Sequence, residues 1–471
     1  MHEPNESTDF DVAVVGAGYG GLVAAAILCR AGRRVLVIDE PPEPGGTCSS
    51  VWAGDMYTPF GYATSRDTSD LFFFMARNHR FGAQAAERAE VDLPLEGPFD
   101  PVMRIHVRDT GDVTALGGPF AEYATKVMGI PEQLLAEFRG AWRELVSIDG
   151  DKALDVSLAS WMSEHLPSEL HDGFVNLANI FSALPPEQIS AGRFAKSLGT
   201  PIEIYYPNDP TAPGISGITE PYARAVRACG GQFALGQKVI EIHTDGGRVT
   251  GLTMQDGVSR IRTINASAIV FAQLPDGLET VVDRALLGEA FVDGARRLRE
   301  NDCDIAVEVN VLTRMPTRRS DGQRDDYPSW NRILKESKRL YGGGWWFPSL
   351  TSRSLAPGKE VLEIGHMSPG LRPYFSVAGA RSTIASVWEY LREFYVDLDD
   401  LVENQGFFIH HAPNCDEWRF AIAPRLPIVV PGIAGLFHVS AAADVPGVVH
   451  DIDANAAMQV VDLILSKGER T

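Results

Sequence analysis

The chain contains 471 residues, of which 45% are apolar and 22% are charged, a composition typical of globular proteins. Its 42 basic and 62 acidic residues give a formal net charge of −20, so nucleic acids and anionic membranes are expected to be poor partners. None of the five cysteines forms a CxxC pair, which favours reduced, buried thiols in a cytoplasmic protein over a zinc site or disulfides.

No segment is predicted to span a membrane or to direct secretion. Two stretches of 18 residues, Val12–Cys29 and Leu426–Ala443, carry no formal charge, and that length is the lower limit for a helix that crosses a bilayer. Glycines interrupt the first stretch, and both prolines and glycines interrupt the second. Each is therefore predicted to be a strand joined to a turn or a helix. The acidic amino terminus lacks the basic region of a secretory signal.

The amino-terminal region is predicted to form a strand–helix–strand unit. Phe10–Val15 and Arg34–Ile38 are short apolar runs typical of buried parallel strands, and Gly21–Ala31 between them is rich in alanine and leucine. The turn after the first strand reads Gly-Ala-Gly-Tyr-Gly-Gly over residues 16–21, and Asp39 follows the second strand. This is a G-x-G-x-x-G pattern in the context that a dinucleotide site requires.

Each part of this turn has a physical reason in a dinucleotide site. Gly16 permits the tight turn, Gly18 lets the backbone approach a pyrophosphate, and Gly21 lets helix and strand pack closely. The helix N-terminus presents N–H groups and a positive dipole to the phosphates, and an acidic side chain after the second strand accepts hydrogen bonds from ribose hydroxyls. The residues predicted to bind the dinucleotide here are Gly16, Ala17, Gly18, Gly20, Gly21, Asp39 and Glu40.

Helical residues at 70–78 and 119–183 are predicted to separate this unit from a second α/β stretch. A helix at Thr219–Cys229 precedes two alternating runs around Asp245–Gly247, which predict a hairpin. A buried strand at Ala268–Ala272 follows.

A second interruption then contains strand-like runs at Ile305–Leu312, Gly344–Phe347 and Val361–Gly365, with a helix predicted over about Thr383–Asn404. A strand at Gly435–Ser440 and a helix to about residue 466 complete the α/β pattern.

The predicted fold class is therefore α/β, with a Rossmann-like nucleotide-binding domain that has a parallel sheet. A substrate-binding domain of mixed sheet and helices interrupts it twice. The nucleotide-binding domain is predicted to comprise residues 10–80, 214–300 and 431–471, and the substrate-binding domain residues 81–213 and 301–430.

Five further segments resemble the FAD-dependent amine oxidase and phytoene desaturase superfamily. Gly45-Gly46-Thr47 follow the acidic residue as in the pattern V-x-V-x-E-x5-G-G-R/T. Gln237–Ile242 and Ala266–Pro275 are similar to the superfamily's second nucleotide segment and to its A-x-x-V-V-x-A-x-P strand. Leu355–Lys359 and Pro431–Gly447 resemble its APxGK stretch and its C-terminal PGLYLVGxxTxPG motif.

The resemblance implies a nucleotide-binding domain of the glutathione reductase type (GR2) and non-covalent FAD as the cofactor. It implies that the backbone of Val239 faces the adenine, and that backbone groups of Val448 and Val449 lie at the pyrimidine end of the flavin. Where the superfamily often has Gly-Asp or Gly-Glu, this chain has Ser440-Ala441. The carboxylate that would hold a ribityl hydroxyl is therefore missing, and Ala441 is left to donate a backbone N–H.

Several side chains are candidates for the substrate side, and each also has a purely structural interpretation. Trp345 and Trp346 are adjacent on a predicted strand, so they face opposite sides. At least one of them lines a substrate pocket, or both pack in the core. Tyr62 contacts substrate or is a core tyrosine. His410 and His450 are candidate catalytic residues or buried histidines with satisfied hydrogen bonds.

Arg425 precedes the C-terminal motif, and it either binds a substrate carboxylate or pairs with an acidic side chain. The sequence contains no HExxH pattern, no P-loop and no Ser–His–Asp spacing, so neither a metal nor hydrolytic chemistry is predicted.

The resemblance implies an FAD-dependent oxidoreductase, close to desaturases and dehydrogenases, that takes a hydride from a C–C or C–N unit. Its expected partners are a small organic substrate of secondary metabolism and O2 or another electron acceptor. Two alternatives stay open. One is a flavin-dependent isomerase without net redox chemistry, and the other is a non-catalytic, lipid-binding escort-like protein of the same fold.

Overall fold

Two seven-stranded sheets, each packed against helices, organise the residues that the structure describes. The structure is a computed structural model. It describes residues 9–48, 50–53, 62–65, 74–75, 80–99, 103–108, 112–115, 120–150, 152–181, 184–198, 204–207, 209, 211–212, 214–300, 303–326, 330–334, 340–350, 356, 358–367, 376–412, 422, 424–447 and 450–468.

The strands of the described residues are, in chain order, β1 (Asp9–Val15), β2 (Val35–Asp39), β3 (Ser50–Ala53), β4 (Tyr62–Ser65), β5 (Phe74–Met75), β6 (Leu95–Phe99), β7 (Met103–Val107), β8 (Asp112–Ala115), β9 (Ile204–Pro207), β10 (Gln232–Leu235), β11 (Gln237–Asp245), β12 (Arg248–Asp256), β13 (Ile261–Phe271), β14 (Cys303–Leu312), β15 (Trp330–Leu334), β16 (Leu340–Trp346), β17 (Glu360–Met367), β18 (Val402–Ala412) and β19 (Leu436–His438).

The α-helices of the same residues are α1 (Tyr19–Arg30), α2 (Arg80–Ala89), α3 (Phe120–Lys126), α4 (Leu135–Val146), α5 (Leu158–His165), α6 (His171–Phe181), α7 (Ala191–Leu198), α8 (Ser216–Ala228), α9 (Leu278–Val281), α10 (Glu289–Glu300), α11 (Val377–Phe394), α12 (Leu398–Leu401) and α13 (His450–Gly468).

The first sheet has the strand order β10-β2-β1-β13-β12-β11, and β19 also pairs with β13. β10, β2, β1, β13 and β19 run parallel, and the last residues of these strands are in register. Val15 lies beside Phe271, and Phe271 lies beside His438. On the other side of the sheet, Leu235 lies beside Asp39. The carboxyl ends of these strands therefore meet at one edge of the sheet, which we call the carboxyl edge.

Both faces of this sheet are covered, which explains the continuous apolar character of its central strands. Val12 and Val14 of β1 pack in one cluster with residues of α1, α8 and α13. Ala13 and Val15 pack in a second cluster with residues of α9 and α10. α1 buries 11 of its 12 residues, so it is apolar on every side, as expected of a helix enclosed between a sheet and other helices.

The second sheet has the order β18-β14-β17-β16-β15-β7-β8, and it is antiparallel except where β15 pairs with β7. One face packs on α11 and contains Trp345, and the other packs on helices α3 to α7 and contains Trp346. The two adjacent tryptophans therefore face opposite sides of the strand, as predicted.

A buried polar network joins the second sheet to α11. His106 on β7 is fully buried, with Nδ1 2.9 Å from the Tyr390 hydroxyl and Nε2 3.0 Å from Asn331 Oδ1. Burial lowers the pKa of His106 to about 3, so the imidazole is neutral near pH 7. Two residues earlier, Arg104 forms a buried ion pair with Asp325 at 3.2 Å.

Most predicted elements are confirmed, including the hairpin of β11 and β12 around Asp245–Gly247 and the three strand-like runs of the second sheet. Ser157 caps the N-terminus of α5, because its Oγ accepts a hydrogen bond from the Ser160 N–H. The described residues of the predicted helical range 119–183 contain the helices α3 to α6.

Two predicted helices are wrong in part. The helix predicted over Thr383–Asn404 ends at Phe394, because Tyr395 takes an extended conformation and the Asp325 carboxylate accepts a hydrogen bond from its hydroxyl. Residues from Val402 onward form β18. Within 70–78, residues 74 and 75 form β5, which pairs with β9, instead of a helix; the other residues of that range lie outside the described ones.

The division into two discontinuous domains with the boundaries given above stays a prediction. None of the helices within the described ranges is long and apolar enough to cross a membrane.

Candidate functional site

The glycine-rich turn lies at the carboxyl edge, between β1 and α1. Gly16 has a φ of +110°, and a Cβ placed on it would lie 2.5 Å from the Ala272 carbonyl oxygen. A Cβ on Gly21 would overlap the Gly16 carbonyl oxygen. A Cβ on Gly18, in contrast, would have no atom within 4 Å. Gly16 and Gly21 are therefore required by packing, whereas Gly18 faces open space.

The N-terminus of α1 opens onto the same space. Gly18 is the N-cap, it makes no side-chain capping hydrogen bond, and the first turn contains no acidic residue. The helical hydrogen bonds begin with Leu22 N–H to Gly18 O at 2.9 Å. A helix end without side-chain acceptors presents N–H groups and a positive dipole, which favours an anion such as a phosphate.

The Gly45–Gly46 pair lies directly on this turn. Gly45 donates its N–H to the Ala17 carbonyl at 2.7 Å, and Gly45 and Gly18 form a parallel bridge. A Cβ on Gly46, whose φ is +59°, would lie 3.0 Å from the Gly18 Cα. Because residues 45 and 46 are both glycines, their backbone packs directly against the glycine-rich turn. The adjoining Thr47 lies in a single turn of 3-10 helix, Gly46–Cys48, and its side chain lies outside the described ones.

Asp39 occupies the carboxyl edge at the end of β2. Its carboxylate accepts the Ala17 N–H at 2.8 Å, the Glu40 N–H at 2.9 Å and the Gln273 side-chain amide at 3.3 Å. Asp39 is buried, and burial raises the pKa of its carboxyl although these hydrogen bonds lower it. A carboxylate accepts about four hydrogen bonds, so Asp39 retains capacity for a ribose hydroxyl. Glu40 beside it is exposed.

The segment that contains Val239 reaches the same edge from the hairpin side. The Gly236 N–H, one residue before β11, donates to the Pro41 carbonyl at 3.1 Å. Val239 itself is buried and pairs with Met254. The structure therefore brings the second nucleotide segment beside the residues that follow Asp39.

The C-terminal segment closes the edge on the far side of β13. A Cβ on Gly20 would lie 2.7 Å from Val439 Cγ1, so the residues after β19 pack against the glycine-rich turn. Leu426 holds the loop that follows β19, because its N–H donates to the Ala442 carbonyl at 2.8 Å and its carbonyl accepts the Asp444 N–H at 2.7 Å. Ala441 lies within this loop. Val448 and Val449 lie outside the described residues.

Two candidate substrate residues lie near this loop and the turn. Arg425 donates from its guanidinium to the Val445 carbonyl at 2.6 Å, so it holds the loop that leads to α13. His450 begins α13 and packs edge-on against Tyr19 of the glycine-rich turn, with 6.2 Å between ring centroids. Its Nδ1 lies 3.4 Å from Asp453 Oδ2. The structure thus brings His450 to the turn and gives Arg425 a partner within the chain.

The other substrate candidates belong to different parts of the fold. Trp345 and Trp346 are 0% and 4% exposed, which agrees with the core interpretation of both indoles. His410 lies on β18, where its backbone pairs with Ile305, and Tyr62 begins β4, opposite Ala53. The side chains of His410 and Tyr62 lie outside the described ones, so their roles stay predictions.

Sequence reasoning missed two polar residues at the carboxyl edge, Gln273 and His438. Gln273 holds the Asp39 carboxylate, and His438 is fully buried at the end of β19. Their position in the sequence could have identified them, because each comes at or just after the end of a parallel strand. Ligand sites of open α/β sheets lie at these strand ends.

A comparison with families of known proteins identifies the family of this chain. The family described as FAD dependent oxidoreductase matches residues 11–281, more than half of the chain. The chain belongs to this family of FAD-dependent oxidoreductases. FAD is therefore its cofactor, and the predicted α/β flavoprotein fold is confirmed. The uncapped helix, the open space at Gly18 and the spare capacity of Asp39 fit a dinucleotide at this edge.

Relatives that are similar in sequence include a retinol reductase and a phytoene desaturase. The chain is 58% identical to all-trans-retinol 13,14-reductase from Macaca fascicularis over 93 residues, which cover 19% of this chain and 14% of that protein. It is 24% identical to the zeta-carotene-forming phytoene desaturase from Myxococcus xanthus over 408 residues, which cover 76% and 73%.

Solved structures that share the fold over almost the whole chain include an amine oxidase and a RAB GDI. Cyclohexylamine oxidase from Brevibacterium oxydans IH-35A has a TM-score of 0.62 at 15% identity and covers 98% of this chain and 100% of its own. RAB GDI from Plasmodium falciparum has a TM-score of 0.53 at 11% identity and covers 97% and 98%. At these identities the likeness establishes the fold alone.

Proposed function

We propose that this FAD-dependent oxidoreductase desaturates a C–C unit of a small organic substrate: one carbon gives a hydride to the flavin, the neighbouring carbon loses a proton to solvent, and a C=C bond forms. The observation that carries this proposal is the convergence of the glycine-rich turn, Asp39, the Gly45–Gly46 pair and the C-terminal segment at one edge of the first sheet. Each of these contributes a group suited to one part of a dinucleotide.

The C–C unit is preferred to a C–N unit for a reason that lies in the relatives. Two of the proteins similar in sequence are named for reactions at C–C bonds, a 13,14-reduction and a desaturation. The amine oxidase shares the fold at only 15% identity. We therefore take an apolar polyene as the substrate class to be tested first.

The residues of the chain would each perform a binding or orienting step. The N–H groups at the start of α1 would hold the pyrophosphate, and Asp39, fixed by Ala17 and Gln273, would orient the ribose. Gly45 and Gly46 would close the backbone over the turn. Bound FAD supplies the ring that accepts the hydride.

Purified protein would first be scored for flavin colour, which a non-catalytic escort-like protein of this fold would lack.

Anaerobic mixing with phytoene as the probe would then be followed in the flavin absorbance. Bleaching with formation of a new double bond supports the proposal. A rearranged product without bleaching would instead support a flavin-dependent isomerase, and bleaching by cyclohexylamine but not by phytoene would move the substrate class to amines. Admission of O2 afterwards tests whether O2 is the electron acceptor.

A further inference from the structure

A cavity of about 440 Å³ lies beside α11 on the second sheet, and no residue of the carboxyl edge lines it. Glu308 of β14 pairs with Phe407 of β18, so both side chains lie on the face of the sheet that packs on α11. Ile384 and Trp388 of α11 form the wall on the helix side. Sites for small molecules are typically cavities of about 300–1,000 Å³ with apolar walls and a few polar groups. This cavity has that size and that wall chemistry.

The carboxylate of Glu308 is held in one orientation in the cavity. Its Oε1 accepts hydrogen bonds from Trp388 Nε1 and from Asn310 Nδ2, the latter at 3.3 Å. Its Oε2 accepts none from the described residues, and Glu308 forms no ion pair with any of them. Because Glu308 is half-buried, its unpaired charge is disfavoured, and a cation at Oε2 would stabilise it. Glu308 thus offers one fixed oxygen to the cavity.

Two arginines line the same cavity, but each has another partner. Arg392 Nε lies 3.0 Å and 2.9 Å from the two carboxylate oxygens of Asp399, and its guanidinium lies 5.3 Å from the centroid of the Trp388 ring. The Arg381 guanidinium lies 4.3 Å from the centroid of the Phe407 ring. The cavity is lined by three acidic and two basic side chains, so its net charge is negative, in a chain whose formal charge is −20. Electrostatic attraction therefore favours a cationic ligand.

The single open oxygen of Glu308 selects among cations. A guanidinium binds a carboxylate best through two parallel hydrogen bonds, which need both oxygens. Because Oε1 already accepts two hydrogen bonds, Oε2 suits the compact head of an ammonium instead. Ile384 and the rings of Trp388 and Phe407 would cover an apolar chain attached to that head. We propose that this cavity binds a small primary amine in its protonated form, with the ammonium on Glu308 and the carbon chain along these walls.

This site is independent of the proposed function, because none of its residues belongs to the carboxyl edge. The bound amine would contact β14, β18 and α11 together. Since it binds the folded chain, it should raise the unfolding temperature of the protein by mass action. It should leave the absorbance of bound flavin unchanged.

The proposal is tested by calorimetric titration of the FAD-saturated protein under anaerobic conditions, with n-hexylammonium as the probe. n-Hexanol and hexanoate have chains of the same length but a neutral or a negative head. Hexylammonium should bind about 10-fold more tightly than hexanol, the effect of a hydrogen bond between charged groups, and hexanoate should bind most weakly. Equal binding of hexylammonium and hexanol, or tighter binding of hexanoate, would overturn the proposal.

Glu308→Gln removes the charge but retains an oxygen that accepts from the Trp388 indole, and it should weaken hexylammonium binding about 10-fold. Glu363→Gln is the matched control. Glu363 also accepts a hydrogen bond from a tryptophan of this sheet, Trp346 Nε1 at 2.9 Å, but Trp346 packs on the opposite face, against α3 to α7. The control should bind hexylammonium as the unaltered protein does. Unchanged affinity in Glu308→Gln, or binding that alters the flavin absorbance, would overturn the proposal.

Fluorine NMR of protein labelled with 5-fluorotryptophan locates the amine without any change to Glu308, and so decides the question even if Glu308→Gln does not fold. The Trp388 resonance, assigned by its absence in Trp388→Phe, should move as hexylammonium is added, and the Trp346 resonance should not. Movement confined to tryptophans other than Trp388, or no movement at all, would overturn the proposal.

Discussion

The carboxyl edge of the first sheet and the interior of the second sheet both bury polar side chains, but they satisfy them differently. In the second sheet, both ring nitrogens of His106 have partners within the chain, and Arg104 pairs with Asp325. At the carboxyl edge, His438 Nδ1 lacks a partner among the described residues and the N-cap of α1 makes no side-chain hydrogen bond. Unpaired atoms alone do not separate the two regions, because the buried Asn310 Oδ1 of the second sheet also lacks a partner among the described residues. The comparison teaches that a network whose groups pair with one another indicates a structural role, whereas an uncapped helix end beside spare carboxylate capacity at a strand end indicates a ligand site.

The largest expected effect is a loss of folding stability when the buried ion pair of the second sheet is broken. Arg104→Ala removes the closest cation from the buried Asp325 carboxylate, which keeps Arg318 at 3.5 Å and the hydrogen bond from the Tyr395 hydroxyl. Removal of one partner of a buried ion pair costs about 3–5 kcal/mol when the other is left uncompensated, so a loss at the lower end, about 3 kcal/mol, is expected here. We expect chemical denaturation to show a loss of this size in the free energy of unfolding. FAD affinity of the folded fraction should not change. A weaker FAD complex with unchanged stability would contradict the assignment of this network to the fold.

Gly18→Val should have the opposite effect: it should weaken FAD binding and leave the stability of the apoprotein unchanged. The added side chain meets no protein atom within 4 Å of its Cβ and the φ of Gly18, −73°, suits any residue, so the unfolding temperature of the apoprotein should be unchanged. The side chain would fill the space assigned to the pyrophosphate, and FAD affinity should fall roughly 100-fold, or about 2.7 kcal/mol. Gly21→Val is the matched variant, since its side chain would overlap the Gly16 carbonyl and should destabilise the apoprotein itself.

Ala441→Asp would restore the acidic residue that the superfamily often has after Ser440. A hydrogen bond to a charged group contributes about 1.5–3 kcal/mol, so FAD should bind roughly 10-fold more tightly, as measured by flavin fluorescence during titration. Ala443→Asp, two residues further along in a buried part of the same loop, should not improve binding. An unchanged or weaker complex for Ala441→Asp would show that this position does not face the cofactor.

The smallest expected effect is a dependence of FAD affinity on pH. Burial raises the pKa of Asp39 in the apoprotein, and hydrogen bonds from ribose hydroxyls would stabilise the carboxylate and lower that pKa in the complex. Binding therefore releases a proton, and affinity should be highest above the raised pKa and fall as the pH decreases through it. We expect about a 3-fold loss across that window by titration at several pH values, and Asp39→Asn should abolish the dependence.

The first sheet and its turn could be predicted because their pattern is local. Apolar runs, a glycine pattern and an acid at the end of β2 are adjacent in sequence, and the structure places them together. The second sheet was harder, because β7 and β15 are far apart in the chain and only tertiary packing brings Arg104 beside Asp325. His438 and Gln273 were missed because a histidine or glutamine at a strand end has no local pattern that distinguishes it from a core or surface residue.

The central claim is that the carboxyl edge of the first sheet holds FAD, and the flavin content of the purified protein tests it most directly. The protein would be saturated with FAD, freed of excess by gel filtration and then denatured, and the released flavin counted per chain. The account predicts one FAD released per folded chain from the unaltered protein and almost none from Gly18→Val. Folded, unaltered protein that retains no FAD, or Gly18→Val protein that retains the full amount, would contradict it.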